Sequence, residues 1–174
     1  MALRPGRTVR RIERPYTRVS YKVPKKSYVK GVPQPRIVHF QMGNENGDFD
    51  TAVYLVAKSD AQIRHNALEA ARVVANSYLA KKLGGANYFF KILKYPHHVI
   101  REKPIATGAG ADRYSQGMRL AFGKPVGTAV QAFKGERIAV VRVKKENVKI
   151  AKEALRKFGY KIPIKIQLIV EELV

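Results

Sequence analysis

The segment RIAVVRVKKENVKIAKEALRKFGYKIPIKIQLIVEEL, residues 137–173, contains three successive patterns that predict the fold class. Its first eight residues are rich in β-branched side chains and favour a strand. In residues 146–158, basic residues lie largely on one face of a predicted helix and apolar residues recur on the other, namely Val148, Ala151, Leu155 and Phe158. PIKIQLIVEEL then alternates as a half-buried strand does. A strand, an amphipathic helix and a second strand predict an α+β domain.

The residues upstream repeat this arrangement. RIVHFQM and TAVYLVAK favour strands, and Asn46-Gly47 between them is a hairpin turn signal. Ser59 and Gln62 have the spacing of a capping box, so we expect a helix from there to about Leu83. Its apolar residues at helical spacing are Ile63, Ala67, Ala70, Ala71, Val74 and Tyr78.

Further strands are expected in NYFFKILKY, HHVIRE and TAVQAFK. We expect the last of these to form a second hairpin with RIAVVRVK through Gly135, and Gly159 to stop the second helix. The sequence thus predicts a mostly antiparallel sheet with two packed helices, in a single α+β domain over residues 37–174.

The composition favours a polyanionic partner. The chain has 34 Lys and Arg against 13 Asp and Glu, a formal net charge of +21. An excess of this size repels itself unless a polyanion neutralises it, and a nucleic acid is the simplest such partner. No stretch approaches the ~20 apolar residues that span a bilayer, so no membrane partner is predicted. Without cysteine, and with an opening segment that lacks the apolar core of a signal peptide, the protein is expected to be cytoplasmic.

Residues 1–36 are predicted to form an extended basic arm. They contain eleven Lys or Arg, one acid and five of the nine prolines, so they have little to bury and cannot hold a helix. Basic side chains here would meet phosphates, and tyrosines would stack on bases. The candidate RNA-binding residues are Arg4, Arg7, Arg10, Arg11, Arg14, Tyr16, Arg18, Tyr21, Lys22, Lys25 and Lys26. The alternative is a solvated basic tail.

A glycine-rich basic loop precedes the later strands. GAGADRYSQGMRLAFGKPVGT, residues 108–128, has five glycines and suits either a nucleotide-phosphate cradle or a finger against polynucleotide backbone. A P-loop is excluded because Gly117 and Gly123 enclose five residues and Pro125 replaces the hydroxyl. A dinucleotide fingerprint is excluded because Arg113 stands where its third glycine should be. We therefore favour a finger, with charge supplied by Arg101, Lys103, Arg113, Arg119 and Lys124; the alternative is a disordered surface loop.

No pattern indicates catalysis, a metal or a cofactor. His97 and His98 are adjacent on a predicted strand and so point to opposite faces, which prevents them from sharing one ion easily. None of the serines lies in a Gly-x-Ser-x-Gly motif. Asp112 is expected to pair with Arg113 or Arg119, or to cap a turn, rather than to act as a general base.

Several segments of the chain resemble one known family. ADRYSQGMRLAFGKPVGT, residues 111–128, closely resembles the signature of the ribosomal large-subunit protein 10e family, the archaeal and eukaryotic counterpart of bacterial large-subunit protein 16. The resemblance extends to RPYTR, KGVPQPRIVHF, ALEAARVVANSYLAKKLG, KILKYPHHVIRE and KENVKIAKEALRKFGYKIP, and therefore to essentially the whole chain. The length looks more archaeal than eukaryotic.

The resemblance implies a structural role in translation and an α/β hammerhead fold. Its expected partners are large-subunit rRNA near the peptidyl transferase centre, the tRNA acceptor region and other large-subunit ribosomal proteins. Carried onto this chain, the loop 101–117 would reach toward tRNA through Thr107, Gly108, Ala109, Gly110, Ala111, Asp112 and Arg113. The alternative is a tRNA- or rRNA-modifying enzyme that uses the same basic surface.

Overall fold

The computed structural model describes residues 9, 22, 23, 25, 29–115, 117–119 and 121–173. Strands and helices in this part of the chain follow the order β1 (Gln41–Gly43), β2 (Thr51–Ala57), β3 (Ala61–Arg64), α1 (His65–Leu83), β4 (Phe89–Ile92), β5 (His98–Glu102), β6 (Lys124–Ala132), β7 (Arg137–Val143), α2 (Val148–Gly159) and β8 (Ile166–Glu172).

The strands form two antiparallel sheets. One has five strands in the order β1-β4-β7-β2-β8, and the other has three in the order β3-β6-β5. Every hydrogen-bonded pair of neighbours in either sheet is antiparallel. β2 lies between β7 and β8, and six of its seven residues are buried. The α+β prediction is confirmed, with the strands divided between two sheets rather than gathered in one.

The two helices pack on different sheets and on each other. α2 contacts β2, β7 and β8, whereas α1 contacts α2 and the smaller sheet. The buried face of α2 consists of Ala151, Ala154, Leu155 and Phe158. The ring of Phe158 meets that of Phe90 edge to face, with 6.1 Å between centroids. This arrangement suits aromatic rings, whose edges are positive and whose faces are negative. One apolar core therefore joins the two sheets through the helix pair.

The first helix begins later than the sequence predicts. Residues 61–64, which contain the expected capping box residue Gln62, form β3 instead, and α1 begins at His65 without a side-chain cap. Pairing with β6 gives these residues a ladder of main-chain hydrogen bonds and buries Ile63 completely. Those gains outweigh one capping interaction, so the prediction from Ser59 was wrong.

The buried face of α1 also differs from the predicted one. Its buried residues are Leu68, Ala71, Ala75 and Leu79, of which only Ala71 was predicted. The helix carries apolar residues on most of its circumference, including the half-exposed Val73. Periodicity therefore does not single out one face, and contact with α2 and the smaller sheet decides it.

Neither predicted hairpin is formed. β1 pairs with β4, and β2 pairs with β7 and β8, so the turn at Asn46-Gly47 joins strands that are not neighbours. Likewise β6 and β7 belong to different sheets. Gly135 donates its N–H to the carbonyl of Ala57, so the turn between β6 and β7 is bonded to the end of β2. A local turn signal reports that the chain reverses, but it does not report which strand pairs next.

The second helix and the last strand lie close to their predicted positions. α2 spans Val148–Gly159 against the predicted 146–158, and Gly159 is its last residue rather than the residue that follows it. β8 spans Ile166–Glu172 within the predicted segment. β6 begins at Lys124, so its first residues come from the glycine-rich segment.

Candidate nucleic-acid interface

The glycine-rich segment forms the tip of a two-stranded ribbon. β5 and β6 run antiparallel, with Glu102 opposite Lys124 at their last pair. Residues 103–123 connect these strand ends, and we call them the finger. The finger therefore projects from the end of the smaller sheet rather than lying between two unrelated strands.

The neck of the finger is closed by a glycine and an arginine. Gly123 has a φ of +68°, and a Cβ there would collide with the carbonyl group of Glu102 and lie 2.6 Å from the nitrogen of Lys103. Only glycine permits both this conformation and this approach of the two chains. The guanidinium of Arg101 donates hydrogen bonds to the Gly123 carbonyl from Nε at 3.2 Å and Nη2 at 2.8 Å.

Lys103 crosses the finger just above this neck. Its ammonium donates hydrogen bonds to the main-chain carbonyls of Gly117 and Arg119. Sequence reasoning assigned Arg101 and Lys103 to RNA phosphates because a basic side chain in a loop looks the same whether it faces RNA or the loop itself. The structure gives both residues partners within the finger. We therefore assign them first to holding its shape.

The tip of the finger is a short 3₁₀ turn entered through glycine. Gly108 and Gly110 have φ values of +113° and +78°, which glycine adopts without strain. The turn spans Ala111–Arg113, and the N–H of Arg113 donates to the Gly110 carbonyl at 3.1 Å. A Cβ added at Gly108 or Gly110 would meet nothing within 4 Å. These two glycines therefore allow the positive φ angles of the tip, at a place where the main chain is open to a ligand.

Both charged and apolar side chains are exposed on the finger. Thr107, Ala109, Asp112, Arg113 and Arg119 are exposed, as is Lys124 at its base. No ion pair joins Asp112 to Arg113 or Arg119, all of which are described. Sequence reasoning missed the exposed large apolar residues among these charges, which are Ile105, Tyr114, Met118 and Phe122. Tyr114 is 87% exposed. Large apolar residues in a segment without periodicity were the signal that could have identified them.

Most of the predicted RNA-binding arm lies outside the described residues. Lys22 and Lys25 are described, and both are exposed. The remaining predicted arm residues lie outside the described ranges, namely Arg4, Arg7, Arg10, Arg11, Arg14, Tyr16, Arg18, Tyr21 and Lys26.

Residues on both sides of the predicted boundary at residue 36 are buried. Val29 is buried within the predicted arm, and Ile37 is fully buried in the main core. Between them, the N–H of Arg36 donates to Nδ1 of His65 at 2.9 Å. Burial lowers the pKa of His65 below its ordinary value, and the positive charges of Arg36 and Arg64 lower it further. The imidazole is thus held neutral, with Nδ1 as a hydrogen-bond acceptor.

Five acidic side chains of the domain form ion pairs with basic residues. Ion pairs join Glu69 to Arg72, Glu136 to Lys94, Glu153 to Lys157, Glu171 to Arg137 and Glu172 to Lys145. Because basic residues outnumber acidic ones by 34 to 13, most cationic side chains have no acid to neutralise them. This is the charge distribution of a surface that meets a polyanion.

Glu136 illustrates how firmly these pairs are held. Burial opposes the ionisation of its carboxyl group, but hydrogen bonds from Lys94 and from the Phe133 N–H outweigh that cost. The pKa of Glu136 therefore lies below its ordinary value. Its carboxylate is fixed at the turn between β6 and β7.

Within the described ranges, no group of three or more His, Cys, Asp or Glu side chains is arranged to hold a metal ion. Neither α1 nor α2, the two long helices of that part of the chain, is long and apolar enough to cross a bilayer.

Comparison with known proteins identifies the family. The family model described as Ribosomal protein L16p/L10e matches residues 16–169. Large ribosomal subunit protein uL16 of Methanococcus aeolicus is 51% identical over 171 residues, which cover 98% of this chain and 95% of that protein. The uL16 proteins of Archaeoglobus fulgidus and Staphylothermus marinus are 51% and 50% identical, each over 99% of this chain and over 95% and 96% of their own lengths. With a match that includes both the finger and the two-sheet domain, this chain belongs to the L16p/L10e family of ribosomal proteins.

Proposed function

We propose that this protein binds large-subunit rRNA through its basic arm and that its finger shapes the region where tRNA acceptor ends bind. Family membership makes the chain a cytoplasmic structural component of the large ribosomal subunit and not an enzyme. The alternative of a tRNA- or rRNA-modifying enzyme is therefore set aside. The contacts that we propose are with rRNA, with other large-subunit ribosomal proteins and with the acceptor ends of tRNA.

The observation that carries the proposal is the construction of the finger. Its neck is fixed internally by Arg101, Lys103 and Gly123, which holds the base of the finger at the end of the smaller sheet. Its tip presents open main chain at Gly108 and Gly110. A fixed neck with an open tip suits a segment that approaches the backbone or ribose of another molecule.

Basic side chains of the arm and the domain attract RNA phosphates. Such contacts position the protein on the RNA without recognising its base sequence. Contacts from Lys and Arg to phosphates release counterions and contribute most of non-specific affinity. The net charge of +21 supports this role, because 34 basic residues face only 13 acidic ones and five of those acids already form ion pairs within the domain. Arg113, Arg119 and Lys124 remain our proposed contacts from the finger and its base.

The experiment that tests the proposal separates attachment from tRNA handling. Residues 107–115 are replaced by a short glycine linker, which removes the 3₁₀ tip. The hydrogen bonds of the tip are internal to this segment, so the neck contacts of Arg101 and Lys103 are retained. We expect the variant to sediment with large subunits at moderate salt as the wild type does.

Single-turnover dipeptide formation on subunits reconstituted with this variant is then expected to slow. The replacement removes Asp112 and Arg113 together, so the net charge does not change. The matched control, Lys145→Gln with Glu172→Gln, likewise removes one exposed cation and one exposed anion, but outside the finger. A wild-type rate from the shortened finger would refute the role at tRNA while leaving rRNA attachment intact. Failure of the wild-type protein to sediment with large subunits would refute attachment itself.

A further inference from the structure

A basic groove lies at the β8 edge of the five-stranded sheet, whereas the finger extends from the three-stranded sheet. It is formed by the C-terminal end of α2 and by the first residues of β8, which is an edge strand. Its volume is about 470 Å³, within the range of small-ligand sites. We call it the α2/β8 groove and define it by Lys58, Arg156, Tyr160, Ile164, Lys165 and Ile166.

Several main-chain N–H and carbonyl groups around this groove already have hydrogen-bond partners within the protein. The N–H of Lys58 donates to the carbonyl of Lys165 at 2.9 Å, which fixes these two lysines side by side. At the end of α2, Arg156 and Phe158 accept hydrogen bonds from the N–H groups of Tyr160 and Lys161 at 3.1 and 3.0 Å. The negative end of the helix therefore has these carbonyls capped, which weakens its repulsion of an anion.

Three cations line the groove without acidic partners in the described part of the chain. Lys58, Arg156 and Lys165 are exposed, and none of them forms an ion pair there. The acids nearest in sequence are engaged elsewhere. Asp60 accepts a hydrogen bond from the N–H of Lys134 at 2.6 Å, and Glu153 accepts one from the hydroxyl of Tyr78 at 2.6 Å.

An aromatic ring stands beside these cations on an apolar floor. Tyr160 is 82% exposed, although a tyrosine on the surface of a small domain gains stability when its ring is covered. Ile164, which is buried, and Ile166, which is half-buried, line the same groove. Three unneutralised cations suit the phosphate of one nucleotide, and an uncovered ring beside apolar side chains suits the face of its base.

We infer that the α2/β8 groove binds a single unstacked nucleotide of an RNA strand, with its base on Tyr160 and its phosphates at Lys58, Arg156 and Lys165. The groove is open, so a strand can enter and leave it. The inference rests on the proposed function only in taking rRNA as the source of that strand. It adds a contact on a different sheet from the finger, so that the domain is held at two separated places.

Photo-crosslinking on the full chain locates the contact without interference from the arm. The probe is an oligouridylate of about seven nucleotides that contains 4-thiouridine, a length within the range that single-strand sites occupy. Crosslinked peptides are mapped by mass spectrometry. We expect crosslinks at residues 156–166 as well as in the arm, with the crosslink at Tyr160 dominant within the groove.

Three variants define the groove contact. Lys58→Gln with Arg156→Gln and Lys165→Gln should reduce crosslinking at residues 156–166 at least about fivefold and leave arm crosslinking unchanged. Tyr160→Ala should lower groove occupancy by a similar factor, as expected when one stacking interaction is removed, whereas Tyr160→Phe should retain it. Lys144→Gln with Lys149→Gln removes two exposed lysines before and at the start of α2 and should change nothing.

The possible failures are distinguishable. Crosslinks in the arm with none at residues 156–166 would overturn the groove and leave the proposed function standing. No crosslink anywhere, together with no sedimentation with large subunits, would overturn both. Loss of groove crosslinking when polyglutamate, but not unlabelled oligouridylate, is added before irradiation would indicate an acidic peptide site and overturn the RNA inference. Circular dichroism of each variant checks whether the fold is retained, as we expect for substitutions at exposed positions.

Discussion

The main-chain N–H of Arg36 donates a 2.9 Å hydrogen bond to Nδ1 of His65, 29 positions further along the chain. His65 is the first residue of α1, and its ring lies against Gly127 of β6. This single contact ties the end of the predicted arm to a helix and to the smaller sheet. It needs a neutral imidazole, because a protonated Nδ1 has no lone pair to accept the hydrogen bond.

Acidification is therefore expected to weaken this junction. The pKa of His65 is lowered in the folded protein by burial and then by Arg36 and Arg64, so its contribution to stability is complete above about pH 6.5. As the pH falls below that value, the unfolded chain takes up a proton that the folded chain resists. The contribution then decreases progressively down to the folded pKa.

Thermal unfolding between about pH 7.5 and pH 5 measures this effect. His65→Asn retains an acceptor near the position of Nδ1 but does not titrate, so it should show a shallower fall in Tm. Burial also lowers the pKa of His97, and the remaining slope in the variant includes that residue. Equal slopes in wild type and His65→Asn would contradict the role assigned to His65.

Gly123→Ala should destabilise the protein more than Gly110→Ala. Both glycines have positive φ, at +68° and +78°, so alanine is strained at either position by about 1 kcal/mol. Only at Gly123 would the new Cβ also collide with main chain, at the carbonyl group of Glu102. We expect this collision to cost at least about 1 kcal/mol more, measured by chemical denaturation. Equal destabilisation by the two variants would show that the neck of the finger can widen freely.

Lys103→Met should loosen the finger while leaving the domain folded. The substitution keeps the aliphatic chain but removes the donors to the carbonyls of Gly117 and Arg119. We expect faster amide exchange in residues 117–119 and faster tryptic cleavage after Arg119. Lys103→Arg retains donors and should protect this segment nearly as well as lysine. Unchanged exchange in Lys103→Met would mean that these hydrogen bonds do not order the finger.

Deletion of residues 1–26 should flatten the salt dependence of rRNA binding. The deletion stops before the buried Val29, so that residue and the chain that follows it are retained. Removal of one phosphate contact changes the slope of log K against log salt by about 0.7 to 0.9, and we expect a change of several units. Lys144→Gln with Lys149→Gln serves as a control for removal of charge from the domain. An unchanged slope after the deletion would show that the arm does not contact phosphates.

Valine at both Gly108 and Gly110 should impair tRNA handling at least as much as Arg113→Ala. Valine is strongly disfavoured at positive φ, so the double variant changes the path of the tip, whereas Arg113→Ala removes one charge and leaves that path intact. Dipeptide formation on reconstituted subunits provides the measurement. A slower rate for Arg113→Ala than for the double valine variant would show that charge, and not backbone conformation, governs the finger.

The sequence alone determined the features that depend on local burial and on composition. Apolar spacing located α2 within two residues at each end and placed β8 within its predicted segment. The excess of basic residues indicated a polyanionic partner, and the segment at residues 111–128 indicated the family. These features could be predicted because periodicity records which face of a single element is buried, and because net charge does not depend on the path of the chain.

Tertiary structure decided everything that depends on which distant residues meet. Residues 61–64 became a strand because β6 was available to pair with them, and β6 and β7 separated because each found other neighbours. Arg101 and Lys103 donate hydrogen bonds to carbonyls of the finger. Lys58 is hydrogen-bonded to Lys165, although more than half the length of the chain separates them in sequence. Hydrogen-bond partners and concave surfaces arise from contacts between residues far apart in sequence. No local sequence pattern encodes such contacts, so they could be identified only from the tertiary structure.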